Sequence, residues 1–272
     1  MVKFYKVKIL VLIIILITST IYILSNYFKE KKQSDIYNDL TNKVEENTTL
    51  QNSTDNDNGI QNDNEDVQIK ENGKNITNYS NINLLELKKQ NSDLIGWIRI
   101  KDTNINYPVM QNGEYYLHNN FYKQKSSLGT PFLASYCNIN TSDNLIIYGH
   151  HIKSGKMFAD LEYYKNYNFY SKHKTIKFYV LENDETKEHC YEILSAFKTT
   201  ANDNGFKYYE FYKANDETDF NSYVEKCKSM SFYNTGVTAY YGDKLLTLST
   251  CEYSQENGRM VVVAKEMKVD TE

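Results

Sequence analysis

The sequence predicts a mostly β domain carried behind an N-terminal apolar segment, and three observations lead there. Among 272 residues stand 25 Tyr and 12 Phe, side chains that fit a pleated, half-buried surface better than a helix. Short runs rich in β-branched and aromatic residues recur, with Gly, Asn and Asp turns between several of them. Only two prolines, Pro108 and Pro131, interrupt the chain, and a hydrophobic content of 40% is enough for one sizeable core.

The first element is a helix. Ile9 to Phe28 is a run of twenty residues without a charge; at about 1.5 Å per residue it spans about 30 Å, the thickness of a hydrocarbon core. No A-x-A-like site follows, which favours an uncleaved anchor over a cleaved signal peptide. Lys3, Lys6 and Lys8 nearly balance Lys29, Lys31 and Lys32, so charge does not set the orientation. From 33 to 80 the chain is dominated by Asn, Asp, Glu, Gln, Ser and Thr. Such a composition buries too little apolar surface to offset ordering entropy, so residues 29–80 are expected to form a flexible polar tether with a short helix near Ile36 to Val44. Asn47, Asn52, Asn75 and Asn140 each open an Asn-x-Ser/Thr triplet, as chance provides in an Asn-rich chain.

The folded part is expected to open with a short helix over Asn83 to Gln90. Strands follow at Leu94 to Ile100, Ile105 to Val109, Thr130 to Tyr136, Asn144 to Tyr148, Thr175 to Leu181 and Tyr191 to Lys198. Phe220, Tyr223, Val224, Cys227 and Met230 fall at helical spacing behind the capping residues Asn215 and Asp216, which predicts a helix from Glu217 to Ser229. Lys244 to Thr250 and Arg259 to Met267 then read as two strands of a hairpin around the polar loop Glu252 to Gly258. Composition leaves barrel and sandwich both open.

That hairpin carries the chemistry. Thr247-Leu248-Ser249-Thr250-Cys251 ends one strand and Arg259 begins the next, so a thiol and a guanidinium stand at facing strand ends, with paired Cβ atoms about 5 Å apart. Arg99 and Arg259 are the only arginines among 31 Lys+Arg, so an Arg kept here points to forked donation that Lys cannot supply. A base is at hand where the strand Asn144 to Tyr148 runs into Gly149-His150-His151.

The order Tyr148-Gly149-His150, then Thr247-Leu248-Ser249-Thr250-Cys251, then Arg259 resembles the signature of sortases, membrane-anchored cysteine transpeptidases of Gram-positive bacteria. Gly96-Trp97-Ile98, Thr103 to Val109, Tyr115-Tyr116-Leu117 and Tyr148 to Lys153 with Met157-Phe158 look like class B. The resemblance spans about residues 82 to 267. It implies an eight-stranded β-barrel with helices at the N-terminus and one before the last strands. It further implies a cytoplasmic tail at 1–8, a transmembrane signal anchor at 9–28, the tether at 29–80 and an extracellular catalytic domain at 81–272.

The implied reaction assigns three roles. The thiolate of Cys251 attacks the Thr carbonyl of a C-terminal sorting signal. His150, which in the family directly follows Gly, serves as base and then as acid, leaving His151 a rim side chain. Arg259 stabilises the oxyanion. The thioester passes to a peptidoglycan amine, so the expected partners are sorting-signal-bearing surface proteins and that amine. Ser249 and Thr250 are expected to line the substrate groove.

Neither cofactor nor metal is expected: His118, His173 and His189 lack ligand spacing such as HExxH. A net charge of −4 with no basic block beyond the flanks of the apolar segment speaks against nucleic acid. Cys137, Cys190 and Cys227 read as structural, without a disulfide. The rival functions are an L,D-transpeptidase-like wall enzyme, whose Ser/Thr-His-Gly-Cys context is missing, and an inactive binding module on the same barrel. A papain-like order, Cys before His, is also missing.

Overall fold

In a computed structural model, the structure describes residues 2–54 and 84–268. Helix α1 (Val2–Thr54) is followed by α2 (Leu85–Gln90), β1 (Leu94–Arg99), β2 (Asn106–Met110), β3 (Phe132–Leu133) and β4 (Asn144–Tyr148). A 3-10 helix (Ala159–Lys165), α3 (Tyr167–Tyr170), β5 (Thr175–Glu182), β6 (Glu185–Thr200), α4 (Glu217–Met230), β7 (Leu245–Glu252) and β8 (Gly258–Glu266) complete the order. The strands close into a barrel in the order β1-β2-β3-β4-β7-β8-β6-β5, which decides between barrel and sandwich and agrees with the resemblance.

The catalytic-end geometry follows from two pairings. β4 runs parallel to β7 in the register Tyr148↔Ser249, and β7 runs antiparallel to β8 in the register Cys251↔Arg259. Side chains alternate along a strand, so Leu145, Ile147, Leu246, Leu248, Val262 and Ala264 share one face and are buried in the main core. Ile146, Tyr148, Thr247, Ser249, Cys251 and Arg259 share the other. The connection between β6 and β7 covers part of that second face. Tyr208 reaches Ser249 (Oη–Oγ 2.6 Å), and the Asn144 amide donates to the Tyr223 hydroxyl at 3.3 Å. Helix α4 starts where the sequence predicts, with Asp216 as its cap accepting from the Asp219 amide at 2.9 Å.

Two stretches differ from expectation. The strand expected over Thr130 to Tyr136 shrinks to Phe132–Leu133, and the chain after it turns, with the Cys137 amide donating to Ala134 O at 3.0 Å. The tether expected over 29–80 begins as helix instead, because α1 continues unbroken to Thr54. Ser34, Tyr37, Leu40 and Val44 are buried, and their three- and four-residue spacing aligns them on one face. The segment is polar in total, yet its apolar minority forms a stripe that packs with Leu84, Leu87, Trp97, Tyr107 and Met157. The rest of that tether, 55–80, and residues 81–83 lie outside the described residues. Ile9 to Phe28 makes α1 long and apolar enough to cross a membrane.

Candidate active site

Cys251 is half-buried on β7, just past the part of the sheet that Tyr208 covers, and Arg259 is half-buried opposite it. The Arg259 Nη1 donates to Gly258 O at 2.9 Å, which spends one donor of the fork and steadies the rest. The tip between the two strands is tied down by Glu252. Its buried carboxylate pairs with Lys165 and Lys198, each at 3.0 Å, and accepts from the Ser254 amide and hydroxyl. Burial alone would raise this carboxyl, but the two ammonium groups and Ser254 outweigh it and hold it at about 2.

His150, the expected base, follows the end of β4. Beyond the paired Tyr148 and Ser249, the Gly149 amide donates to Ser249 O at 3.1 Å and the Thr250 hydroxyl donates to Gly149 O at 2.7 Å. His150 lies two residues beyond the end of β4, and Cys251 lies two residues past the paired Ser249, within β7. A Cβ on Gly149 would stand 2.6 Å from the Phe158 ring; the small residue lets Phe158 pack beneath this strand end. The loop then closes on itself, with the Phe158 amide donating to His150 O at 2.8 Å and a bridge joining His151 to Met157.

The two histidines are held differently. His150 Nε2 lies 2.7 Å from Leu117 O; a carbonyl only accepts, so Nε2 carries the proton and Nδ1 is the basic nitrogen of the neutral ring. His151 Nδ1 likewise donates to Cys251 O at 3.0 Å, and Tyr253 returns a bond to His151 O at 2.9 Å. His151, expected as a rim side chain, is therefore a strut between the two strand ends. Gly129 completes the cradle of His150. Its φ is +59°, and a Cβ there would meet Leu117 O and Tyr116 O at 2.7 Å and the His150 ring at 3.1 Å.

Ser249 and Thr250 are the residues expected to line the groove. Both are buried, and their hydroxyls bond Tyr208 and Gly149. Burial pushes the Cys137 thiol up to about 11 and the Cys227 thiol up to about 12, and raises Cys190 as well. All four cysteines are free. Among the described residues no cluster of His, Cys, Asp and Glu has the geometry to hold a metal.

Residues missed by the sequence reading are Glu252, Tyr208 and Gly129, whose partners Lys165, Ser249 and His150 are remote in sequence, so that no local pattern marks them. The family described as the sortase domain matches residues 98–267. Sortase B of Listeria monocytogenes is 38% identical over 188 residues, covering 67% of this chain and 73% of that protein. Sortase B of Staphylococcus aureus is 37% identical over 190 residues, 67% and 74% of the two chains. Among solved structures, Clostridium perfringens sortase B aligns with a TM-score of 0.61 at 35% identity over 67% of this chain and 98% of that one. A Staphylococcus aureus sortase B–substrate complex aligns with a TM-score of 0.68 at 29% identity, covering 89% and 100%.

Proposed function

The chain belongs to the sortase family, as a class B cysteine transpeptidase, and we propose that Cys251, His150 and Arg259 are its nucleophile, its acid–base group and its oxyanion donor. What supports this is the register: Cys251 pairs with Arg259 across β7 and β8, and the bonds Gly149 makes to Ser249 and Thr250 tie the segment leading into His150 to the strand leading into Cys251.

In this reading, Nδ1 of His150 takes the thiol proton and the thiolate attacks the Thr carbonyl of a C-terminal sorting signal. Arg259 donates to the oxyanion that develops. Collapse of the tetrahedral species breaks the peptide bond; the proton held by His150 goes to the departing amine, and a thioester to Cys251 remains. An amine of peptidoglycan then attacks the thioester, loses its proton to His150 and releases the thiolate. A solved sortase B complexed with triglycine supports a glycine-type amine as acceptor.

The same reading makes residues 9–28 a single membrane crossing, 1–8 a cytoplasmic tail and 81–272 an extracellular catalytic domain, with surface proteins as substrates. The test is peptide cleavage by the Cys251→Ala variant, with the acyl-enzyme sought by mass spectrometry. Wild type is expected to gain the mass of the acyl fragment and the variant to give neither adduct nor cleavage. Cleavage retained by the variant refutes the assignment.

A further inference from the structure

The apolar run of α1 ends at Phe28, and contacts with the barrel begin at once. The Ser154 hydroxyl donates to the Glu30 carboxylate, and the Asn120 amide donates to Gln33 at 3.0 Å. Farther along, Val44 shares a core cluster with Leu84, whose amide donates to Thr186 at 3.1 Å. At about 1.5 Å per residue, Glu30 and Gln33 stand about 3 Å and about 8 Å beyond Phe28, and Val44 about 24 Å beyond it. A headgroup layer is roughly 5–7 Å thick on each side of the hydrocarbon. The hairpin loop between His151 and Met157 therefore meets the helix at headgroup depth, whereas the turn bearing Thr186 stands far above.

Charge agrees with that placement. Lys153 is exposed at the tip of the loop, Lys156 follows, and Lys29, Lys31 and Lys32 lie on the helix beside it. Across 29–33 and 150–157 the one acidic residue is Glu30, in a chain whose net charge is −4. Each lysine near an anionic surface contributes about 1 kcal/mol. We propose that the 151–157 loop rests on anionic phospholipid headgroups through its lysines and those of the helix beside it, Lys153, Lys156, Lys29, Lys31 and Lys32, so that the segment bearing His150 faces the lipid surface. This rests on the reading of α1 as a membrane anchor.

The test uses the full chain reconstituted into vesicles of phosphatidylcholine and phosphatidylglycerol, with a nitroxide on the headgroup of a minor lipid. Lys153→Trp and Lys187→Trp each add an exposed indole to a chain whose single tryptophan, Trp97, is buried. In the vesicle-bound fraction, Lys153→Trp is expected to lose half or more of the added emission, while Lys187→Trp stays at the wild-type level. Leaving out phosphatidylglycerol is expected to weaken the quenching. Equal quenching of the two variants, or quenching indifferent to phosphatidylglycerol, overturns the proposal with the anchor intact. A chain that fails to float with the vesicles overturns the anchor reading, and the proposal with it.

Discussion

His150 and His151 share a side chain, adjacent positions and a backbone carbonyl as partner, but the partner differs in consequence. His150 bonds Leu117 O through Nε2 and so leaves Nδ1 as its unprotonated nitrogen, whereas His151 spends Nδ1 on Cys251 O and so fixes a strand end. Loss of a general base typically costs about 100-fold to 10,000-fold, and loss of one neutral hydrogen bond about 1 kcal/mol, or roughly fivefold. His150→Ala is therefore expected to lose at least about 100-fold in kcat/KM and His151→Ala about fivefold, measured on one peptide; the reverse ranking reassigns the base. Arg259 poses a sharper question, because Lys keeps the charge. With Nη1 committed to Gly258 O, the planar fork still offers donors toward the substrate, an arrangement one ammonium cannot reproduce. Arg259→Lys is expected to lose about 100-fold to 1000-fold in turnover while the thiol still reacts with small alkylating reagents. A variant within about threefold of wild type leaves Arg259 only a charge.

The β7–β8 hairpin was legible in sequence because each strand alternates cleanly and its loop is polar, and the register then followed within a residue. What holds the hairpin in place was not legible. Glu252 reads locally as the first residue of a loop, yet Lys165 and Lys198 bind it from 87 and 54 positions away. The 3-10 helix Ala159–Lys165 and α3 are not legible either, because at seven and four residues each is too short to repeat a helical pattern. The electrostatics of this tie are testable by pH. The Glu252 carboxyl is held at about 2 against an ordinary 4.5, so its ionised form favours the folded state by on the order of 3 kcal/mol. Because the folded pKa is depressed, that stability is fully present above about pH 4.5 and is lost as pH falls toward 2. Glu252→Gln is expected to lower the unfolding free energy by about 2–3 kcal/mol at pH 6, with the gap to wild type closing below pH 3. A gap independent of pH would mean that packing, not charge, holds the hairpin.

At the scale of the whole molecule, the division between anchor, tether and catalytic domain is less sharp than composition suggests. Average polarity hid the stripe of Ser34, Tyr37, Leu40 and Val44, which shows only when residues are counted around a helix rather than along the chain. Tyr37 also reaches toward the site, its hydroxyl bonding Gly129 O and, at 2.9 Å, the Thr130 hydroxyl. Gly129 in turn packs against the His150 ring. A truncation that keeps residues 29–272 removes the apolar run of α1 and leaves this arrangement whole. One that keeps only 81–272 bares the surface on which Tyr37, Leu40 and Val44 sit, each buried to within 3%. At about 1.5 kcal/mol for each of the three side chains returned to water, the shorter form loses about 4.5 kcal/mol, which for a domain of this size lowers Tm by roughly 10–15 °C. Tyr37→Phe in the longer form separates the two contributions, because it keeps the ring buried and removes only the hydroxyl. Its Tm is expected to fall by a small part of that amount, while kcat drops as the Gly129 contact with His150 loosens. Equal Tm values for the two truncations would show that the stripe contributes nothing to the fold, and would return residues 29–54 to the role of a passive tether.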